Sequence, residues 1–142
     1  MVRNLSLFGL LVFLAVSANF AQSNLTAIAE IPFAFNAGAA HFDAGTYWVK
    51  EYDSGHALLE LSRRDGKGAA FLITNEFNTN TASSSKSRLV FNKYGQQYFL
   101  SQVWLQDGSL GYRLTPSRME KEVMHNAMAK NLAPKVVQIA AR

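Results

Sequence analysis

What most constrains this chain is a repeating period of two. Ile31, Phe33 and Phe35 alternate with Pro32, Ala34 and Asn36, which sets three large apolar groups on one face of an extended segment. Similar short β-type runs recur toward the C-terminus, each closed by turn residues, and that spacing predicts an antiparallel all-β domain. Pro32 cannot donate a ladder hydrogen bond, so its segment is expected at a sheet edge or a strand start.

Turn chemistry divides the remainder. Asp43-Ala44-Gly45 leads into residues 46–52, where Tyr47 and Val49 face one way and Trp48, Lys50 and Tyr52 the other. Residues 57–63 and 69–75 flank Asp65-Gly66-Lys67-Gly68 as the clearest hairpin, and residues 88–93 and 97–105 form a second around Gly95. Between them, the polar stretch 78–86 reads as a surface loop. In the run 97–105, Tyr98, Leu100 and Trp104 fall on one face and Phe99, Val103 and Leu105 on the other, so a central strand covered on both sides is expected. Ser117-Arg118-Met119-Glu120 is a capping box, and Met119, Val123 and Ala127, with Met124 and Met128 beside them, form an apolar stripe. They predict an amphipathic helix over about 118–130, followed after Pro134 by a last strand of β-branched residues. The expected fold is mainly β: an antiparallel β-sandwich or partly closed β-barrel of about 7–8 strands with one C-terminal amphipathic helix.

Residues 1–21 are expected to be a cleaved export signal. Arg3 supplies a positive start and Leu7 to Val16 an apolar run, with a cut after Ala21 or, alternatively, after Ala18. The run is shorter than the about 20 residues needed to cross a bilayer, so no integral membrane protein is expected after cleavage. What remains, residues 22–142, is a single β-rich domain with no cysteine, which excludes a disulfide framework, a thiolate metal site and a thiol nucleophile. Once Arg3 is removed, thirteen Lys and Arg stand against ten Asp and Glu, scattered without a block able to neutralise many phosphates. No nucleic-acid partner is expected. The expected location is a bacterial periplasm or the secreted medium.

Ile31-Pro32-Phe33-x-Phe35, Ala44-Gly45-Thr46-Tyr47-x-Val49, Leu89-Val90-Phe91-x-x-Tyr94-Gly95-x-x-Tyr98-Phe99-Leu100-Ser101-x-Val103-Trp104 and Ser117-x-x-Glu120 together span most of residues 22–142. In this combination the chain resembles a family of small exported proteins abundant in acidobacterial genomes, to which no function is assigned. Where the family pattern has Leu-Pro before the Gly45 turn, this chain has Phe42-Asp43. The resemblance implies a bacterial, exported β domain and brings no catalytic residue, cofactor or substrate.

Chemistry-bearing residues are few. His41, His56 and His125 lack ligand-like neighbours, and Glu122-x-x-His125 is only half of a di-metal helix motif. Asp53, Ser54 and His56 have the residue types of a hydrolase triad but crowd into one turn, with no nucleophile elbow. Glu51, Glu60 and Glu76 fall on strands, where glutamate commonly forms the solvent face. No catalytic residue, metal ligand or cofactor is therefore assigned. The aromatic residues are a better lead: Tyr47, Trp48, Tyr52, Tyr98, Trp104 and Tyr112 are candidates to line an apolar or sugar-stacking cleft, although a cysteine-free core needs large side chains too. The expected function is a non-enzymatic binding or structural module of the bacterial envelope, with an apolar ligand, a carbohydrate or an envelope protein as partner. The alternatives are a small periplasmic hydrolase using carboxylate or histidine chemistry and a self-associating envelope protein.

Overall fold

The structure, a computed structural model, describes residues 26–53, 55, 57–78, 86–105 and 110–142. The segment expected to be an export signal, the Ser54 and His56 positions and most of the polar loop lie outside the described residues. Those described form ten strands and one helix, so the chain is mainly β. In order they are β1 (Thr26–Ile31), β2 (Phe35–Ala37), β3 (Ala40–Phe42), β4 (Gly45–Asp53), β5 (Leu58–Arg63), β6 (Ala69–Asn78), β7 (Arg88–Tyr94), β8 (Gln97–Leu105), β9 (Leu110–Leu114), α1 (Arg118–Ala129) and β10 (Lys135–Ala140).

The ladder runs β1-β4-β5-β6-β9-β8, and β8 then branches to β7 and β10 on one side and to β2 and β3 on the other. Ten strands exceed the expected seven or eight chiefly because the segment 35–42 folds as a tight pair, Phe35 opposite Phe42, with Gly38 at a φ of 59° in its turn. One contact departs from antiparallel pairing: Asn36 of β2 lies parallel to Phe99 of β8. The sheet is open, with no full ladder between its outer strands. β10 instead returns to β1 through a single antiparallel bridge, Ala29 to Ala141, beside which Ile28 and Arg142 exchange both backbone hydrogen bonds at 2.8 and 3.0 Å.

Alternation decides what is buried. Ala27, Ala29 and Ile31 of β1, Tyr47 and Val49 of β4, Leu59 and Leu61 of β5, Leu72 of β6 and Tyr112 and Leu114 of β9 all join one core cluster. Phe35 and Phe42 enter it from the β2-β3 pair, where Phe35 meets Phe42, Tyr47 and Phe91 at ring separations of 5.3 Å. Removing this much apolar surface from water is the main source of stability available to a cysteine-free domain.

The expected grouping of faces on β8 is corrected by a bulge. The register against β7 slips between Val90 and Phe91, so that Gln102 opposes Val90 while Leu100 opposes Phe91. Ser101 is the extra residue, and its hydroxyl donates to Val90 O at 3.0 Å. Leu100, Val103 and Leu105 therefore share the main core, whereas Phe99 belongs to a second cluster. That cluster is where α1 docks, through Ala127, Val123 and Met124 onto Tyr94 and Phe99. A strand covered on two sides is thus found, with the helix supplying one cover.

The capping box is half realised. Glu120 N–H donates to Ser117 Oγ at 3.1 Å, but the Glu120 carboxylate turns into the sheet and accepts from Asn92 Nδ2 of β7 at 3.1 Å. The helix is anchored by this buried polar contact as well as by its apolar stripe. The stripe is narrower than expected, because Met119 and Met128 are exposed and Ala127 is the apolar residue that is buried.

Candidate functional site

The six aromatic residues expected to line a cleft do not converge. Tyr47 and Tyr112 are fully buried in the core, Tyr47 donating its hydroxyl to Asp43 O at 2.6 Å. Trp48 and Tyr52 alternate with the core residues of β4 and so face the other side. Tyr98 stacks on Phe33 with centroids 3.8 Å apart and an interplanar angle of 12°, while the Lys93 ammonium sits 5.0 Å from the same ring. Trp104 lies elsewhere, between the guanidinium of Arg88 at 4.4 Å and the ring of Phe77 at 4.9 Å. Its indole N–H donates to Gln102 Oε1.

A polar group does sit in the core. Glu51 of β4 and Thr74 of β6 are buried, and Tyr112 of β9 is completely so. Thr74 directs its hydroxyl to Ala57 O. The Tyr112 hydroxyl has no hydrogen bond of good geometry, and the Glu51 carboxylate is the acceptor facing it. Burial raises the Tyr112 pKa far above that of a free tyrosine, and the Glu51 contact and the charges of Glu51 and Glu76 push it the same way. A phenol whose pKa is raised in this way stays neutral and is not a poised acid. Glu60 lies apart, opposite Lys50 and Phe71, so the three glutamates are not one cluster.

The histidines are likewise separate. His41 is exposed and its Nδ1 lies 3.0 Å from Asn36 Oδ1 across the β2-β3 pair. His125 is exposed on α1 in a shallow groove with Arg118, Lys121, Glu122 and Asn126. Among the described residues no three His, Asp or Glu side chains gather as a metal site would require, and no helix is long and apolar enough to cross a membrane.

Two further surface features stand out among the described residues. A groove of about 460 Å³ follows the seam between β1 and β10, carrying Arg64, Lys86 and Arg142 with Glu30. The second is apolar, and of its residues only Tyr52 is among the aromatic candidates named from the sequence. Tyr52 is 59% exposed, Phe71 59% and Ile73 82%, and Tyr52 meets Phe71 edge-to-face at 5.0 Å. Leu58 pairs directly with Ile73, and Glu60 with Phe71, so these side chains share the outer face of β4, β5 and β6. The signal was present in the sequence: Phe71 and Ile73 alternate with Leu72 and Thr74, and if Leu72 points inward the larger pair must point out.

Comparison with known proteins adds nothing to this geometry: no family model matches the chain, and no curated protein or solved structure shows significant similarity to it.

Proposed function

We propose that the protein is an exported, non-enzymatic binding module of the bacterial envelope that engages a partner protein through the outer face of β4, β5 and β6. The exposed cluster of Tyr52, Phe71 and Ile73 carries this reading, because large apolar groups grouped on one surface favour association. The inward positions support it from the other side. They are committed to packing, with Tyr47, Tyr112, Phe35, Phe91, Leu59 and Leu61 among the fully buried side chains. In this reading the ladder from β1 round to β10 is a partly closed barrel, held at its seam by the Ile28–Arg142 backbone pair. Export rests on Arg3 and the apolar run that follows it.

Native mass spectrometry of the protein recovered from the exported fraction of a bacterial host, without refolding, tests the proposal. The expected species begins at Gln22 or Asn19 and carries the mass of a second polypeptide. An uncut chain confined to the cytoplasm refutes export. A retained small molecule in place of a polypeptide refutes the outer-face reading and directs attention to the Glu51 and Tyr112 pair.

A further inference from the structure

β6 changes neighbours part-way along its length. Residues 69–73 pair β5, whereas the ladder with β9 begins only at Thr74, opposite Leu114. Along an antiparallel strand successive residues direct their N–H and C=O to opposite sides. Arg63 N–H donates to Gly68 O and Thr74 N–H to Ala57 O, so the even-numbered residues of this stretch address β5. Ala69 and Phe71 then direct theirs the other way, where no strand of the described residues pairs with them.

Across that edge stands the turn between β2 and β3. Residues 37–40 form one wall and residues 70–73 the other of a groove of about 310 Å³, closed at one end by Leu114 and Thr115. Exposed edges are ordinarily protected by lysine, proline, a bulge or a covering element. Residues 69–75 contain neither a charge nor a proline, and the described β5-β6 ladder runs without a register shift.

We propose that this groove takes an extended segment of a partner protein, added as one strand to the free edge of β6. The proposal rests on the interaction-module reading and specifies how the partner is held. Free main-chain donors and acceptors recognise an extended backbone. The β2-β3 turn lines the opposite side of the groove, so a single extended segment is the proposed occupant rather than the sheet of a second copy. The lining is uncharged, so the segment is neutral. Small residues are required where it faces Ala37, Ala40 and Ala70, and apolar ones at the alternate positions that come beside Phe71 and Ile73.

A displayed library of random nonapeptides, selected on the full chain, tests this. Enriched peptides are synthesised and their binding compared on wild type, Phe71→Pro, Ala39→Arg and Tyr52→Ser/Ile73→Ser. Phe71→Pro removes an N–H that faces the groove and leaves the β5 ladder bonds in place. Ala39→Arg fills the groove from an exposed turn position, so it serves where the proline variant fails to fold. The expected result is neutral, alternating peptides that bind at least about tenfold more weakly to Phe71→Pro and Ala39→Arg, and slowed hydrogen exchange at the Phe71 amide on binding. Selection of no such peptide overturns the proposal. Peptides that ignore both groove variants but lose binding to Tyr52→Ser/Ile73→Ser overturn strand addition while leaving the outer face as the contact surface.

Discussion

Gly111 of β9 sits directly opposite Phe77 of β6, and the phenyl ring lies over it. A Cβ at this position would stand 2.7 Å from Phe77 Cζ and 2.9 Å from both Cε atoms, well inside contact distance. In Gly111→Ala the ring must therefore swing away. It would leave Trp104, which it meets edge-to-face at 4.9 Å and 82°, and the Arg113 guanidinium 4.8 Å from its centroid. An aromatic pair of this kind contributes about 0.5–1.5 kcal/mol beyond its area. A cation over a ring at an exposed site contributes about 0.5–1 kcal/mol. Alanine returns about 0.5–1 kcal/mol through the lower backbone entropy of its unfolded chain. The net expectation is a destabilisation of about 1 kcal/mol, read as a shift of the urea midpoint at unchanged slope. In a Phe77→Ala background the obstructing ring is absent, so the same substitution should become neutral or stabilising. Stabilisation by Gly111→Ala alone, or an equal cost in both backgrounds, would show that the Phe77 ring does not obstruct a Cβ at position 111.

Three further outcomes follow from the packing and the titrating groups. Phe35→Ala, which empties a site touching Phe42, Tyr47 and Phe91, should cost about 3–5 kcal/mol in urea unfolding. Burial raises the Glu120 pKa against the opposing hydrogen bonds from Asn92 and Tyr94. The folded state therefore binds its proton more tightly than the unfolded chain, and stability falls as pH rises from the ordinary carboxylate range through the raised folded value. Melting temperatures of Glu120→Gln across that range should lack this component of the decline, and an unaltered pH slope would count against it. Tyr112 should stay un-ionised in native protein above the ordinary tyrosine range. Tyr112→Phe should thus remove no phenolate absorbance at about pH 11 until the chain unfolds.

Much of the architecture was legible because strands advertise themselves by period and turns by composition. The 57–63 and 69–75 hairpin appears as β5 and β6, the last strand as β10 and the helix within a residue of its expected end. What escaped depended on long-range contacts. The bulge at Ser101 reversed the assignment on β8, and no local feature of Gln97 to Leu105 marks where β7 will slip. The Glu120 carboxylate met Asn92, twenty-eight residues away, in preference to its own helix end. Residue type alone groups the six aromatics into a cleft, whereas adjacent Tyr47 and Trp48 must point to opposite faces of one strand. Tyr52, Phe71 and Ile73 come together only once β4, β5 and β6 are in register.

The proposed division of labour is that inward side chains hold the fold while the outer face of β4 to β6 makes the contact. Its most direct test joins stability to partner retention in Tyr52→Ser/Ile73→Ser. The expected result is an unfolding free energy within about 1 kcal/mol of wild type and no second polypeptide mass in the exported fraction. A loss above about 3 kcal/mol would make these residues part of the core, and a retained partner in a stable variant would place the contact elsewhere.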